Sequence, residues 1–454
     1  MNDTIAAIST GRDPGGIGVI RISGPDAVKI ADSVFSAVSE KPLSSLKGYC
    51  AAFGRVSGSD DFEDEAVALV FRSPHSYTGE DVVELSCHGG RYSTAMTLKA
   101  CISAGARPAE AGEFTKRAFE NGKMSLTQAE AVMNIVSANG RQSMSAAMAA
   151  KDGKLAVNIN KVRDVLTEAD AELSVWSDFP DDDVPPVTDG ELKEKLLKAA
   201  DMLKKIIADG KRCAAVNEGI NTVICGRPNV GKSTIMNILS GKEKSIVTDI
   251  PGTTRDTVDE QVTVNGCVLM LSDTAGIRQT DDKVETIGVE RALSAVESAQ
   301  LVFAVFDSSE ELSEDDIKLI DSIKDKPAIA VINKSDKIKK IDDKYIKSKI
   351  KHIVYISALN EEGIDELEHL IAVVTDTEKL DASCGVIINE RQLYCAMRAA
   401  EFIDEALYDI DRKMTFDAIN VSIDSAIEML LELSGERVSD VVANEIFSRF
   451  CIGK

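Results

Sequence analysis

The spacing of apolar residues divides the chain into four successive regimes. Over the first ~120 residues, short β-rich runs such as IGVIRI (17–22) and EAVALVF (65–71) alternate with Gly/Pro turns and predict a mixed α/β region. From about 121 to 215 the period lengthens to that of helices. LTQAEAVMNIVSANGRQSMSAAMAA is Ala-rich with few breakers, and ELKEKLLKAADMLKKIIADG repeats its apolar positions at helical spacing. Between them the acidic, Pro-containing stretch DFPDDDVPPVTDGE (178–191) predicts a loop. From about 218, NTVICG, VLMLSD, LVFAVFD, AIAVINK and HIVYIS are continuous apolar runs of strand length with helical stretches between most of them. That is the pattern of a mainly parallel sheet covered on both faces. VTVNGCVLML predicts a hairpin turning at Asn265-Gly266. After about 378 the chain reads as helical to its end. The expectation is an α+β domain over 1–120, then a helical domain formed by 121–217 with 379–454, and an α/β domain over 218–378 inserted between its halves.

Composition narrows the class. At 454 residues there is room for roughly three domains, and 44% hydrophobic with 28% charged residues is an ordinary soluble balance. MNDTIAAIST carries no charged-then-apolar leader, and no uncharged apolar run approaches ~18 residues, so the expectation is a cytoplasmic protein without membrane contact. Nine cysteines without a CxxC pair suggest neither a zinc site nor a disulfide framework. The net charge of −23 repels polyanions at long range. Nucleic-acid contact therefore requires a local basic patch or a partner subunit. The Lys-rich DKIKKIDDKYIKSKIKH (336–352) is the local candidate, ranked below the plainer reading of a solvated helical face. The terminal IFSRFCIGK places Cys451 close to Lys454. A final lysine disfavours prenylation, which leaves a reactive thiol or an ordered tail reaching a site built elsewhere.

Five ordered motifs point to guanine nucleotide. GRPNVGKS (226–233) follows the strand INTVIC and fits G-x-x-x-x-G-K-[ST]. Gly226 and Gly231 let backbone N–H groups face phosphate oxygens at a helix N-terminus. Lys232 is expected on the β/γ-phosphates and the Ser233 hydroxyl on Mg²⁺. In GTTRD (252–256), Thr254 is the switch threonine on Mg²⁺; in DTAG (273–276), Asp273 holds the Mg²⁺ shell and the Gly276 N–H senses the γ-phosphate. In NKSD (333–336), a buried Asp336 accepts from guanine N1–H and the 2-amino group, donors that adenine lacks. SAL (357–359) follows the next strand and supplies a backbone contact to the base. The expected nucleotide contacts are Asn229, Val230, Gly231, Lys232, Ser233 and Thr234; Thr248, Asp249, Ile250, Pro251, Gly252, Thr253 and Thr254; Asp273, Thr274, Ala275 and Gly276; and Asn333, Lys334, Asp336, Ser357 and Ala358.

The hydrolytic apparatus departs from the Ras pattern. Where Ras-like enzymes carry a water-orienting Gln, this chain has Ile277. Asn229 with carbonyls of VTDIPGT (247–253) offers a cage for a monovalent cation at the place of an arginine finger. Glu285 offers a base that positions water, a reading that stands beside that of an exposed switch carboxylate.

GRPNVGKS, IPGTTRD, DTAGIR, VETIGVERA, NKSD and the terminal FCIGK together resemble the MnmE/TrmE family of tRNA modification GTPases, over essentially the whole chain. The nucleotide motifs are shared with other translation GTPases, whereas FCIGK and the N-terminal phrases are specific. The resemblance implies an N-terminal domain that binds 5,10-methylenetetrahydrofolate or 5-formyltetrahydrofolate and forms a homodimer. It puts the folate contacts on Arg21, Glu84, Lys123 and Lys454. It implies K⁺ at Asn229, Thr248, Ile250 and Thr253, Mg²⁺ at Ser233 and Thr254, Glu285 as the catalytic glutamate, and G-domain dimerisation. The implied reaction places an aminomethyl or carboxymethylaminomethyl group on C5 of the wobble uridine of certain tRNAs. A flavin-dependent partner, MnmG or GidA, would complete a heterotetramer. Cys451 is then a candidate nucleophile for uridine C6 or a handler of the one-carbon unit, against a packed or merely positioning cysteine. The rival reading is a regulatory or ribosome-assembly GTPase, which leaves FCIGK and the N-terminal phrases unexplained.

Overall fold

The computed structural model describes residues 3–11, 13–138, 140–178, 188–242, 260–264, 267–273, 296, 299–375 and 384–453. They sort into two units, Met1–Met133 with Ser434–Lys454, and Asn134–Leu433.

The first unit is built on seven strands: β1 (Ile5–Ile8), β2 (Ile17–Ser23), β3 (Phe35–Ala37), β4 (Cys50–Ser57), β5 (Glu63–Phe71), β6 (Val82–His88) and β7 (Arg107–Pro108). Their order is β3-β4-β5-β6-β2-β1-β7, antiparallel throughout except for β1 with β7. Period-2 alternation sends Ile20, Ile22, Val83, Leu85, Ala66 and Ala68 to one face, where helices α1 (Ala27–Val34) and α2 (Arg91–Ser103) close the core. Helix α3 (Glu113–Glu120) brings Phe114 against Ile5, Ala7 and Ala109 in a separate small core with Tyr77 packed on it. The start of helix α4 (Leu126–Ser137) packs Leu126 and Ala129 against Ala443, Phe447 and Phe450 of the final helix, Asp440–Ser448, and its exit. This apolar seam anchors the C-terminal segment to the first unit.

The second unit begins with the helices α5 (Arg141–Lys151), α6 (Lys154–Asp178) and α7 (Asp189–Glu218). The stretch 178–191, expected to be a loop, already turns helical at Asp189. Thr188 is the reason: its side chain caps the Glu191 N–H, and Asp189 and Glu191 sit in the first turn where the helix dipole favours them. Residues 179–187 lie outside the described residues. In α6, Leu155, Ile159, Val162, Leu166, Ala169 and Leu173 recur every three or four residues and are all 1% exposed or less. They pack with matching rows from α7 and from two helices late in the chain, Glu390–Asp411 and Phe416–Ser434, so the helical core is assembled from both ends of the unit.

Between these helices lies a six-stranded sheet: β8 (Ile220–Cys225), β9 (Glu260–Val264), β10 (Cys267–Asp273), β11 (Leu301–Asp307), β12 (Ala328–Asn333) and β13 (His352–Tyr355). The order is β13-β12-β11-β8-β10-β9, parallel save for β9. All seven residues of β11 and all six of β12 are buried, which accounts for their unbroken apolar runs. β9 and β10 pair antiparallel with Val264 opposite Cys267, as a hairpin requires; residues 265–266 lie outside the described set. Among the described residues no helix is long and apolar enough to cross a membrane.

Candidate functional site

In the first unit, strand alternation turns Arg21 and Glu84 away from the main core, and the β2–β6 register sets them directly opposite each other. Arg21 Nε and Nη2 each lie 2.9 Å from Glu84 Oε1. Both contacts fall on Oε1, which leaves Oε2 to accept from a ligand. The guanidinium is flanked by the rings of Tyr77 and Phe114, 5.3 and 5.6 Å from their centroids, and is thereby fixed in place. Burial pushes the Tyr77 hydroxyl up, and it pairs with Thr115 Oγ1 at 2.8 Å.

The C-terminal tail reaches this point. Arg21 Nη1 lies 3.5 Å from the Gly453 carbonyl oxygen, and Ser9 Oγ donates to the same oxygen at 3.0 Å. Gly453 has φ +97°, and a Cβ there would overlap the Ile8 carbonyl oxygen. Ile452 pairs with Ala111, and the Gly112 N–H points to the Cys451 carbonyl oxygen at 3.5 Å. The Cys451 thiol is exposed rather than packed. Lys123 donates to the Pro74 carbonyl at 2.9 Å, on the loop that also carries Tyr77. Lys454 lies outside the described residues. Of the four residues expected to hold folate, Arg21 and Glu84 are brought together, and the tail arrives beside them.

Below this cluster lies an ionic network, buried at Arg117 and Glu113 and half-exposed at Asp3 and Arg107, that the sequence reading missed. The Arg117 side chain is 1% exposed and reaches Asp3 Oδ1 at 2.8 Å, Glu113 Oε1 at 3.0 Å and Glu80 Oε1 at 3.2 Å. Arg107 holds Glu113 from the other side at 2.6 Å. Burial raises the Glu113 carboxyl, but the bonds from Arg107, the Glu110 N–H and Arg117 outweigh it and hold it below its ordinary value. Ser23 Oγ donates to Glu80 Oε2 at 2.7 Å, so the end of β2 is tied to the 78–80 loop.

In the second unit, the loop after β8 turns back over the sheet into helix α8 (Lys232–Lys242). Asn229 has φ +62° and Gly231 φ +105°; a Cβ on Gly231 would collide with the Asn333 amide. Lys232, 8% exposed, donates from Nζ to the carbonyls of Gly226 and Arg227 at 2.7 and 2.8 Å and so spans the loop. Ser233 and Thr234 are exposed in the first turn of α8. The Val230–Lys232 turn is tied to the neighbouring strand ends. Asn333 Nδ2 donates to the Val230 carbonyl at 2.8 Å while its Oδ1 accepts from the Ala358 N–H at 3.0 Å. Asn333 is thus a strut between two motifs. Lys334 Nζ donates to the Asn229 carbonyl at 2.8 Å and to Asp307 Oδ2 at 2.5 Å. Asp336 accepts from Ser357 Oγ at 2.6 Å; it is exposed, where a buried carboxylate was expected. A cleft of about 480 Å³ opens beside them, lined by Thr234, Asn237, Ile238, Gly241, Ala358, Leu359 and Glu361. Thr248, Asp249, Ile250, Pro251, Gly252, Thr253, Thr254, Thr274, Ala275, Gly276 and Glu285 lie outside the described residues; Asp273 closes β10.

Asp307 is the residue here that sequence reading passed over. It is 3% exposed, accepts from the Ser309 N–H and Oγ as well as Lys334, and burial is outweighed so that its carboxyl stays below its ordinary value. Its place at the carboxyl end of a central parallel strand was the available signal. Among the described residues no three His, Cys, Asp or Glu side chains converge as a metal site. Burial pushes the thiols of Cys101, Cys225 and Cys267 up to about 12, so none of the three is a ready nucleophile.

A family model described as the MnmE helical domain matches residues 126–451, and one described as the N-terminus of the GTP-binding protein TrmE matches residues 4–123. The chain is 39% identical over 457 residues to the tRNA modification GTPase MnmE of Clostridioides difficile. It is 40% identical over 458 residues to that of Bacillus velezensis and 38% over 458 residues to that of Bacillus subtilis. In each of these pairs the similarity covers 100% of both chains.

Proposed function

Starting from the fact that the chain belongs to the MnmE family of tRNA modification GTPases, we propose that it hydrolyses GTP as the folate-dependent subunit of a complex that modifies C5 of the wobble uridine in certain tRNAs. The group added is aminomethyl or carboxymethylaminomethyl. The observation that carries the reading is the meeting of Arg21, Glu84 and the Gly453 carbonyl in one cluster. A nucleotide site alone does not call for it.

The residues present fit a tetrahydrofolate. The Glu84 carboxylate suits the N–H donors of a pterin, with Oε2 open to one of them, and the cations Arg21, Lys123 and Lys454 suit the carboxylates of the folate glutamate. The bound folate supplies the one-carbon unit. This chain's part is to orient it: Tyr77 and Phe114 keep Arg21 from swinging, and Ser9 with Arg21 holds the tail at the Gly453 carbonyl. The exposed Cys451 thiol is the candidate to add to uridine C6 and activate C5. In the G domain, Lys232 and the loop N–H groups bind the phosphates, Ser233 and Thr254 hold Mg²⁺, and Asp273 orders its shell. Asn229, Thr248, Ile250 and Thr253 hold K⁺ in place of an arginine finger, and Glu285 aligns the water across a dimer of G domains. The domains run 1–120 for folate binding and homodimerisation, 121–217 with 379–454 for the helical scaffold, and 218–378 for GTP. The flavin-dependent MnmG/GidA partner completes a cytoplasmic heterotetramer that engages tRNA.

Nucleoside analysis of tRNA from a strain lacking the gene tests this directly. Loss of the wobble-uridine modification, restored by the wild-type gene, is the expected result. An unchanged modification would leave the regulatory or ribosome-assembly GTPase as the reading.

A further inference from the structure

The Lys-rich segment 336–352, together with the lysines just before it, has a definite location in the fold. Residues 324–352 contain ten lysines against four aspartates, in a chain whose net charge is −23. The segment contains β12 and ends where β13 begins, and these two parallel strands run side by side with Ile329 opposite His352. Their carboxyl ends carry Asn333 and Ser357 and face the nucleotide site. Their amino ends lie at the other pole of the sheet, about 20 Å away at ~3.3 Å per residue over six residues.

At that pole a cavity of about 340 Å³ is ringed by Lys324, Lys326, Lys349, Lys351 and His352, with walls that include Pro327, Ile350, Val373 and Val374. Among the described residues Lys324 and Lys351 have no side-chain partner, and Lys349 has only loose ones, Asp321 at 3.8 Å and the Tyr345 ring at 5.9 Å from its centroid. Lys326 is tethered to the Val296 carbonyl at 2.5 Å. His352 is pushed down by burial and then by the charge of Lys351, so it leaves the positive field to the lysines. Apolar walls under converging ammonium groups focus that field. The space, about ten water volumes at ~30 Å³ each, accommodates a phosphodiester with part of its hydration shell.

We propose that this basic pole is where the chain grips the phosphate backbone of RNA, on the side of the G domain remote from its nucleotide. The inference rests on the tRNA reading above only for the choice of polyanion. A docking point there leaves the nucleotide cleft open while RNA is bound, and concentrates the chain's attraction for RNA in one place on an otherwise repelling surface.

The test is a titration of the full-length protein with an unmodified tRNA transcript across a range of salt. The triple variant Lys324→Gln, Lys349→Gln, Lys351→Gln is compared with wild type. It is also compared with Lys29→Gln, Lys41→Gln, Lys47→Gln, which removes the same charge from exposed positions of the first unit. For the pole variant, affinity should fall roughly tenfold or more near 0.1 M salt, and the slope of log K against log salt should shrink by about two to three. Arginine at the three positions should restore both. The control triple should stay near wild type. Equal losses in the two triples, an unchanged pole variant, or no tRNA binding by wild type would each overturn the proposal. So would polyglutamate that competes as well as tRNA, since that marks a site for acidic protein. Wobble-uridine loss in the deletion strain is measured separately, so the patch can fail while the functional reading stands.

Discussion

At the scale of single residues, the nucleotide site depends on a buried carboxylate as well as on its motifs. Asp307 holds Lys334, and Lys334 holds the carbonyl of Asn229 in its left-handed turn. Asp307→Ala should therefore weaken GTP and GDP binding by about 1–2 kcal/mol, near tenfold, since a charge-assisted bond is lost beside the loop. Asp307→Asn, which keeps an acceptor, should recover part of it, and fluorescent-nucleotide titration reads both. Glu285 belongs to a different step. Glu285→Ala should leave GTP affinity close to wild type and reduce turnover greatly, and exchanging K⁺ for Na⁺ should slow hydrolysis without loss of binding. Equal loss of binding would assign Glu285 a structural role, and cation-indifferent rates would remove the cage around Asn229. The motif residues were legible because a phosphate cradle is contiguous in sequence. Asp307 was not, because its partner is 27 positions away, just past the end of the neighbouring strand.

At the scale of elements, the tail is held by one turn that only glycine can make. Gly453→Ala would force a Cβ into the Ile8 carbonyl and dislodge the segment from Ser9 and Arg21. Folate affinity should fall severalfold while GTP hydrolysis is kept, measured by equilibrium dialysis and phosphate release on the same preparation. Deleting the last four residues should do the same, and undiminished folate binding by either variant would separate the tail from that site. Strand and helix identities were readable from periodicity, with one instructive miss. Thr188-Asp189 looks like the end of an acidic loop, yet a capping hydroxyl three residues before Glu191 starts α7 there.

At the scale of the whole molecule, charge is uneven and its buried part is structural. Arg117 is enclosed by Asp3, Glu80 and Glu113, so Arg117→Ala would strand the Glu113 and Glu80 carboxylates, which have little access to water, whereas the half-exposed Asp3 can turn to solvent. A loss of about 3–5 kcal/mol is expected, read by urea denaturation of the first unit's transition. The pH dependence follows from the same network. The Glu113 and Asp3 carboxyls are held below their ordinary values, so their stabilisation is complete above the unfolded carboxylate range and disappears as pH falls through the depressed values. Unfolding midpoints should be flat from neutral pH to about 5 and drop steeply below about 4. In Arg117→Ala that drop should be shallower. The chain alone determined the order of its elements, the nucleotide motifs and the family, because hydrophobic periods and loop-helix cradles are written in neighbouring residues. Only the tertiary structure decided that Arg21 meets Glu84, 63 positions on, and Gly453, 432 positions on. Such encounters are set by strand register and by an apolar seam between helices far apart in sequence, and no local pattern encodes the distance between them.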